Sequence, residues 1–147
     1  MPLFDRITII GLGLIGSSIA RAVRKHKLAE TIVGCDSSDV TLTFARSGGI
    51  IDIAMYDIAT AVRDSRMVIL ATPPSAMGAI AEQMAPALQK GALVMDTASV
   101  KVPVMHAIAS HLPSAVDFVP AHPIAGSEQS GISAGRADLF DGRRVIV

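Results

Sequence analysis

The stretch GLGLIG, from Gly11 to Gly16, constrains this chain more than any other, because one periodicity stops there and another begins. Arg6 to Ile10 is a short β-branched run. Beyond the glycines, Ile15, Ile19, Ala22 and Val23 recur at helical spacing. Strand, glycine turn and helix together give the string G-x-G-x-x-G its meaning as the phosphate-binding start of a Rossmann-type unit. In that reading Gly11 makes the tight turn, Gly13 lets backbone approach a pyrophosphate, and Gly16 lets helix and strand pack closely. The exposed N–H groups and the positive end of the helix attract the phosphates. Ser17 and Ser18 offer hydroxyls on the first turn, either to a phosphate or to the local backbone.

Asp36 lies twenty residues beyond Gly16, at the end of a second strand expected over Thr31 to Cys35. A carboxylate there accepts hydrogen bonds from both hydroxyls of an adenosine ribose and repels a 2′-phosphate, so the expected cofactor is NAD rather than NADP. Ser37 and Ser38 supply no compensating cation, and Arg46 is the one distant candidate.

The alternation continues. A helix is expected around Val40 to Ala45, ended by Gly48 and Gly49, with a short strand at Ile50 and Ile51. Met67 to Ala71 is a strand stopped by Thr72, Pro73 and Pro74, which are candidates for the wall of the cofactor site or a simple terminator. A helix over Ala76 to Leu88, a strand over Ala92 to Met95, a helix over Val102 to Leu112 and a strand over Val116 to Val119 follow. A polar loop from Pro120 to Gly131 and a strand-like Arg143 to Val147 complete the chain. This order predicts an α/β fold, a mostly parallel open sheet with helices on both faces, forming one domain over residues 1–147.

Composition narrows the function. Thirteen basic and thirteen acidic residues cancel, which gives no electrostatic reason to expect nucleic acid or an anionic membrane as partner. Half the residues are apolar, as doubly covered strands require. The apolar run from Ile7 to Ala20 is interrupted by glycines and too short for a membrane span. Cys35 is the single cysteine, so no intrachain disulfide forms and a cytoplasmic protein is the expectation. With one cysteine and no compact histidine and carboxylate spacing, no metal centre is expected.

For chemistry, His122 in HPIAGSEQSG stands out, since an imidazole after the sixth strand faces the nicotinamide mouth and accepts a hydroxyl proton near neutral pH; a capping or exposed histidine is the alternative. Ser99 in DTASVK either bonds to substrate, cofactor or His122, or caps the next helix. Lys101 reads as a phosphate or carboxylate contact or a solvated lysine, and Asp96 as an orienting group or a turn. Ser127, Glu128, Gln129 and Ser130 order the histidine loop or line a polar cavity, whereas His26, His106 and His111 fall on helical segments or their ends.

Taken together, GLGLIGSS, Asp36, ATPP at Ala71 to Pro74, DTASVK at Asp96 to Lys101, HPIAGSEQSG at His122 to Gly131 and LFDGR at Leu139 to Arg143 resemble the nucleotide-binding part of the prephenate and arogenate dehydrogenase family. The resemblance implies an NAD-dependent oxidative decarboxylation in tyrosine biosynthesis, a small-molecule substrate, a further, largely helical substrate and dimerisation domain absent from this chain, and a homodimer. It places His122 on the family's catalytic histidine, Ser99 on an assisting serine, and Gly11, Gly13, Gly16 and Asp36 on cofactor-binding positions. These 147 residues are then expected to be incomplete for catalysis on their own. Another NAD-dependent hydroxy-acid dehydrogenase, or a non-catalytic dinucleotide-binding module, stays open on the residues alone.

Overall fold

A computed structural model describes residues 1–125 and 128–147. Six strands, β1 (Phe4–Ile10), β2 (Ala29–Cys35), β3 (Ile53–Met55), β4 (Met67–Leu70), β5 (Leu93–Asp96) and β6 (Asp117–Val119), form one sheet in the order β3-β2-β1-β4-β5-β6. Every pairing in it is parallel. The helices α1 (Leu14–Lys25), α2 (Asp39–Ser47), α3 (Ile58–Val62), α4 (Met77–Met84) and α5 (Val102–Ala109) supply the crossovers. Strand order reverses between β1 and β4, which opens a crevice at the carboxyl ends of those two strands.

Alternation along β1 divides the core. Ile7 and Ile9 face one cluster with Leu12, Ala20, Val23 and Leu42, while Ile10 faces another with Val68, Leu70, Met77, Val94 and Ile108. Thr8 is fully buried, and its hydroxyl is satisfied by the Ala61 carbonyl at 2.7 Å and by Ser65 Oγ at 2.6 Å.

Several element boundaries differ from expectation for local reasons. Ile50 and Ile51 are buried but not a strand; the third strand starts at Ile53, after Asp52 has used its own carboxylate to accept from Ile32 N at 2.8 Å. The unexpected α3 is capped by Asp57, whose carboxylate accepts from Thr60 N at 2.8 Å. The helix expected over Ala76 to Leu88 is α-helical only from Met77 to Met84, flanked by 3-10 turns at Pro74–Ala76 and Ala85–Ala87, each carrying a proline in its first residues. At the chain's end β8 (Val145–Ile146) pairs antiparallel with β7 (His122–Pro123), outside the main sheet. Among the described residues no helix is long and apolar enough to cross a membrane.

Candidate functional site

A cleft of about 370 Å³ opens at the β1/β4 switch point, lined by the turn after β1, the end of β2, Tyr56 and Ile58, and the loop after β4. Gly11, Gly13, Asp36, Thr72 and Pro73 all border it.

The three glycines divide their work. Gly11 has φ +91°, and an added Cβ would stand 2.7 Å from the Ala71 carbonyl oxygen, so neither backbone nor space admits a side chain. At Gly16 a Cβ would meet the Gly11 carbonyl oxygen at 1.8 Å, which makes this glycine the contact between α1 and its own entry turn. Gly13 has nothing within 4 Å of the same position. Its openness leaves room for a ligand rather than for packing. Gly13 is also the N-cap of α1 and carries no side-chain cap, and no acidic residue occupies the first turn. The leading N–H groups and the positive end of a twelve-residue helix therefore remain available to an anion.

Asp36 is held from two sides: one carboxylate oxygen accepts from Leu12 N at 2.9 Å and the other from Ser38 N at 2.9 Å. These bonds tie the end of β2 to the glycine turn and fix the carboxylate beside the cleft, with lone pairs to spare for hydroxyl donors. Arg46 is turned away, donating to the Asp52 carbonyl. The surroundings are otherwise acidic, for Tyr56 donates its hydroxyl to Asp39, which raises the Tyr56 pKa. Cys35, at the floor, is pushed up to about 11 by burial and then by the charges of Asp36 and Asp57, so its thiol stays neutral.

Ser17 does not border the cleft. It is fully buried, with its hydroxyl 3.4 Å from the Leu14 carbonyl and against the backbone of Gly135. Ser18, also buried, accepts from Arg136 N at 3.0 Å.

Ser99 and His122 belong to the neighbouring part of the same edge, just beyond β5 and β6, and neither lines the cleft. Ser99 is exposed and His122 partly buried. Between them lies a junction that the sequence did not disclose. Asp96 is fully buried; one of its oxygens accepts from Ala121 N at 3.1 Å, the other from Ala98 N at 3.1 Å and from Lys101 Nζ at 2.5 Å. Lys101 Nζ also donates to the Ala121 carbonyl at 2.6 Å. Of the two readings of Lys101, a carboxylate contact rather than a solvated lysine is the one found, and it closes a ring of bonds onto the residue preceding His122. Its spacing of five residues from Asp96 was the available signal, but no pattern names Ala121 as the third member.

Glu128, Gln129 and Ser130 are exposed, and Ser127 lies outside the described residues. Among the described residues no group of three or more His, Cys, Asp or Glu side chains is placed to hold a metal ion.

A pinned acidic residue beside an open, uncapped helix start at the switch point of a parallel sheet defines a Rossmann-fold dinucleotide-binding domain. Comparison with known proteins narrows the class. A family model described as the prephenate dehydrogenase, nucleotide-binding domain matches residues 19–147, and the chain belongs to that family. The match begins after the glycine turn, so it is independent of that common motif.

Relatives agree along the whole chain. The cyclohexadienyl dehydrogenase of Zymomonas mobilis is 44% identical over 147 residues, covering 100% of this chain and 50% of that protein. The prephenate dehydrogenase of Bacillus subtilis is 36% identical over 138 residues, 93% of this chain and 37% of its own. A crystal structure of Aquifex aeolicus prephenate dehydrogenase with hydroxyphenyl propionate and NAD+ superimposes with a TM-score of 0.87 at 30% identity, covering 96% of this chain and 49% of that one. This chain therefore spans half or less of the length of these relatives. Mycobacterium tuberculosis 3-hydroxyisobutyrate dehydrogenase, at 18% identity and a TM-score of 0.71, shares the fold alone.

Proposed function

We propose that this chain is the cofactor-binding part of an NAD-dependent dehydrogenase that oxidatively decarboxylates prephenate or arogenate. The observation that carries the cofactor choice is the Asp36 carboxylate, fixed beside the cleft by Leu12 N and Ser38 N, with no Lys or Arg among the residues that line the cleft. A 2′-phosphate brought there would meet Asp36 directly, whereas two ribose hydroxyls would donate to it. The residues present suit the group: Gly13 leaves space for a pyrophosphate, the first turn of α1 has N–H groups to donate to it, and Thr72 and Pro73 form part of the cleft wall. When bound, NAD supplies the acceptor for the hydride.

In this reading His122 takes the proton from the ring hydroxyl of the substrate as the hydride leaves the carbon bearing it. Loss of the ring carboxylate as carbon dioxide then leaves an aromatic ring. Ser99, exposed on the adjoining loop, bonds to the substrate or to the imidazole and fixes their geometry. The remaining length of the protein supplies the substrate contacts and excludes water, and we place the full-length protein in the cytoplasm as a homodimer. We read residues 1–147 as the NAD-binding domain and a small molecule as its substrate, and the family match over residues 19–147 supports that reading.

Calorimetric titration of the chain with NAD and NADP tests the reading. NAD should bind more tightly, and Asp36→Ala should weaken it and narrow the gap. Equal or tighter binding of NADP by the wild type would overturn the cofactor assignment.

A further inference from the structure

The chain segment that leaves the sheet edge after His122 returns to the same point and is fastened in between to the helix that starts at the glycine turn. Its two ends meet where Ile124 N donates to the Arg144 carbonyl at 2.7 Å, beside the β7–β8 pairing of His122 with Ile146. Between them, residues 132–136 lie along α1. The Arg21 guanidinium donates to the Ile132 carbonyl at 3.0 Å, and Arg136 N donates to the buried Ser18 hydroxyl at 3.0 Å. Ile132 packs against the core cluster containing Ala20 and Val23 of the same helix. Gly135 sits so close that an added Cβ would stand 2.2 Å from Ser17 Oγ and 3.1 Å from Arg21 Nε. All these anchors, Ser17, Ser18 and Arg21, fall within two turns of the free N–H groups at the start of α1.

We propose that Arg21 and Ser18 are positioning residues that transmit occupancy of the phosphate-binding turn to the placement of His122. The inference rests on the dinucleotide reading given above. Phosphate oxygens bound at the first turn fix the end of α1, and a hydrogen-bonded helix responds as a rigid rod. Residues 132–136 follow through two hydrogen bonds and the Gly135 contact. Because both ends of this segment converge on β7 and β8, its placement is imposed on the short strand that carries His122. Neither Arg21 nor Ser18 borders the cleft, so this role is separable from affinity.

The test uses ADP-ribose, which fills adenosine and pyrophosphate positions but has no nicotinamide ring to touch His122. The readout is the imidazole NMR signal of His122 in this chain, followed during an ADP-ribose titration. Wild type should show a shift of that signal that saturates with binding. Arg21→Met should bind ADP-ribose within about threefold of wild type, as expected for a site with no shared partners, yet lose most of the shift. Arg21→Lys, which still donates to the Ile132 carbonyl, should restore it. Ser18→Ala removes a single hydroxyl from a site that stays filled, and so provides a second, gentler variant with a partial loss. If wild type binds ADP-ribose and the His122 signal stays still, or if folded Arg21→Met or Ser18→Ala retains the full shift, the coupling is overturned. Failure of wild type to bind ADP-ribose at all would instead remove the cofactor reading beneath it.

Discussion

The two ends of the carboxyl edge are built by different means. At the glycine end the backbone does the work: Gly11 turns, Gly16 packs against that turn, Gly13 stays open, and Asp36 is tied to Leu12 N. At the histidine end side chains from distant segments do it: Asp96 and Lys101 hold Ala121, and Arg21 and Ser18 hold residues 132–136. A backbone-built site leaves its imprint as a short, fixed spacing. A side-chain-built site depends on which segments the topology brings together.

The proposed function puts cofactor binding at one end and proton transfer at the other, and the sharpest way to break that pairing is His122→Asn in the full-length protein. Asparagine cannot serve as the base, so turnover should fall by about 10²- to 10⁴-fold while NAD affinity is retained. Paired steady-state kinetics and NAD titration decide. Near-normal turnover would dismiss His122 as the base, and a collapse of NAD binding in folded protein would move it into the cofactor site.

Next in size is Lys101→Met, which strands the buried Asp96 carboxylate without its cation. Removing one partner of such a pair should cost about 3 kcal/mol, read by urea unfolding. Lys101 keeps 23% of its side chain exposed, so partial hydration brings the cost toward the lower end. A change below about 0.5 kcal/mol, the usual effect of altering a surface side chain, would mean that the bond ring does not hold the histidine end together.

Two glycine substitutions sharpen the other side. Gly16→Ala forces a Cβ onto the Gly11 carbonyl and should destabilise the fold by about 1–3 kcal/mol, the range for overpacking. Gly13→Ala meets no protein atom, so its melting temperature should stay near that of wild type while NAD affinity drops. Unimpaired NAD binding by Gly13→Ala would show that the pyrophosphate does not approach there.

The smallest effect concerns the cleft floor. The Cys35 thiol is raised from an ordinary value of 9.0 to about 11, so the folded chain keeps a proton that the unfolded chain releases. Stability from this group is complete below pH 9 and is lost as pH rises from about 9 to 11, by about 1 kcal/mol at pH 10. Denaturant unfolding from pH 8 to 10.5 should show this loss, and Cys35→Ala should flatten it. An unchanged alkaline slope would place the cause elsewhere.

Much of the glycine end is legible in the order of residues, since the loop and Asp36 are separated by one helix and one strand whose lengths are set by helix and strand geometry. Tyr56 and Ile58, which line the same cleft, are not, because they follow a three-residue strand too short to show alternation. The split of the expected Ala76 to Leu88 helix shows the same limit in miniature. Apolar spacing continues across Pro86, but the missing N–H and the ring tighten the last turn. At the histidine end the residue types are visible while their partners are not.

The glycine turn and the acidic residue beside it are written in the chain locally, because each depends on contacts within one βαβ unit, and the fold class is written in the repetition of such units along the chain. Long-range packing decides that Ser17 is buried under Gly135, that Lys101 reaches the Ala121 carbonyl, and that residues 132–136 come back to α1. Those outcomes follow from strand order. Placing β4, β5 and β6 on the far side of β1 brings together groups 20 to more than 100 residues apart, and no local periodicity encodes which of them meet.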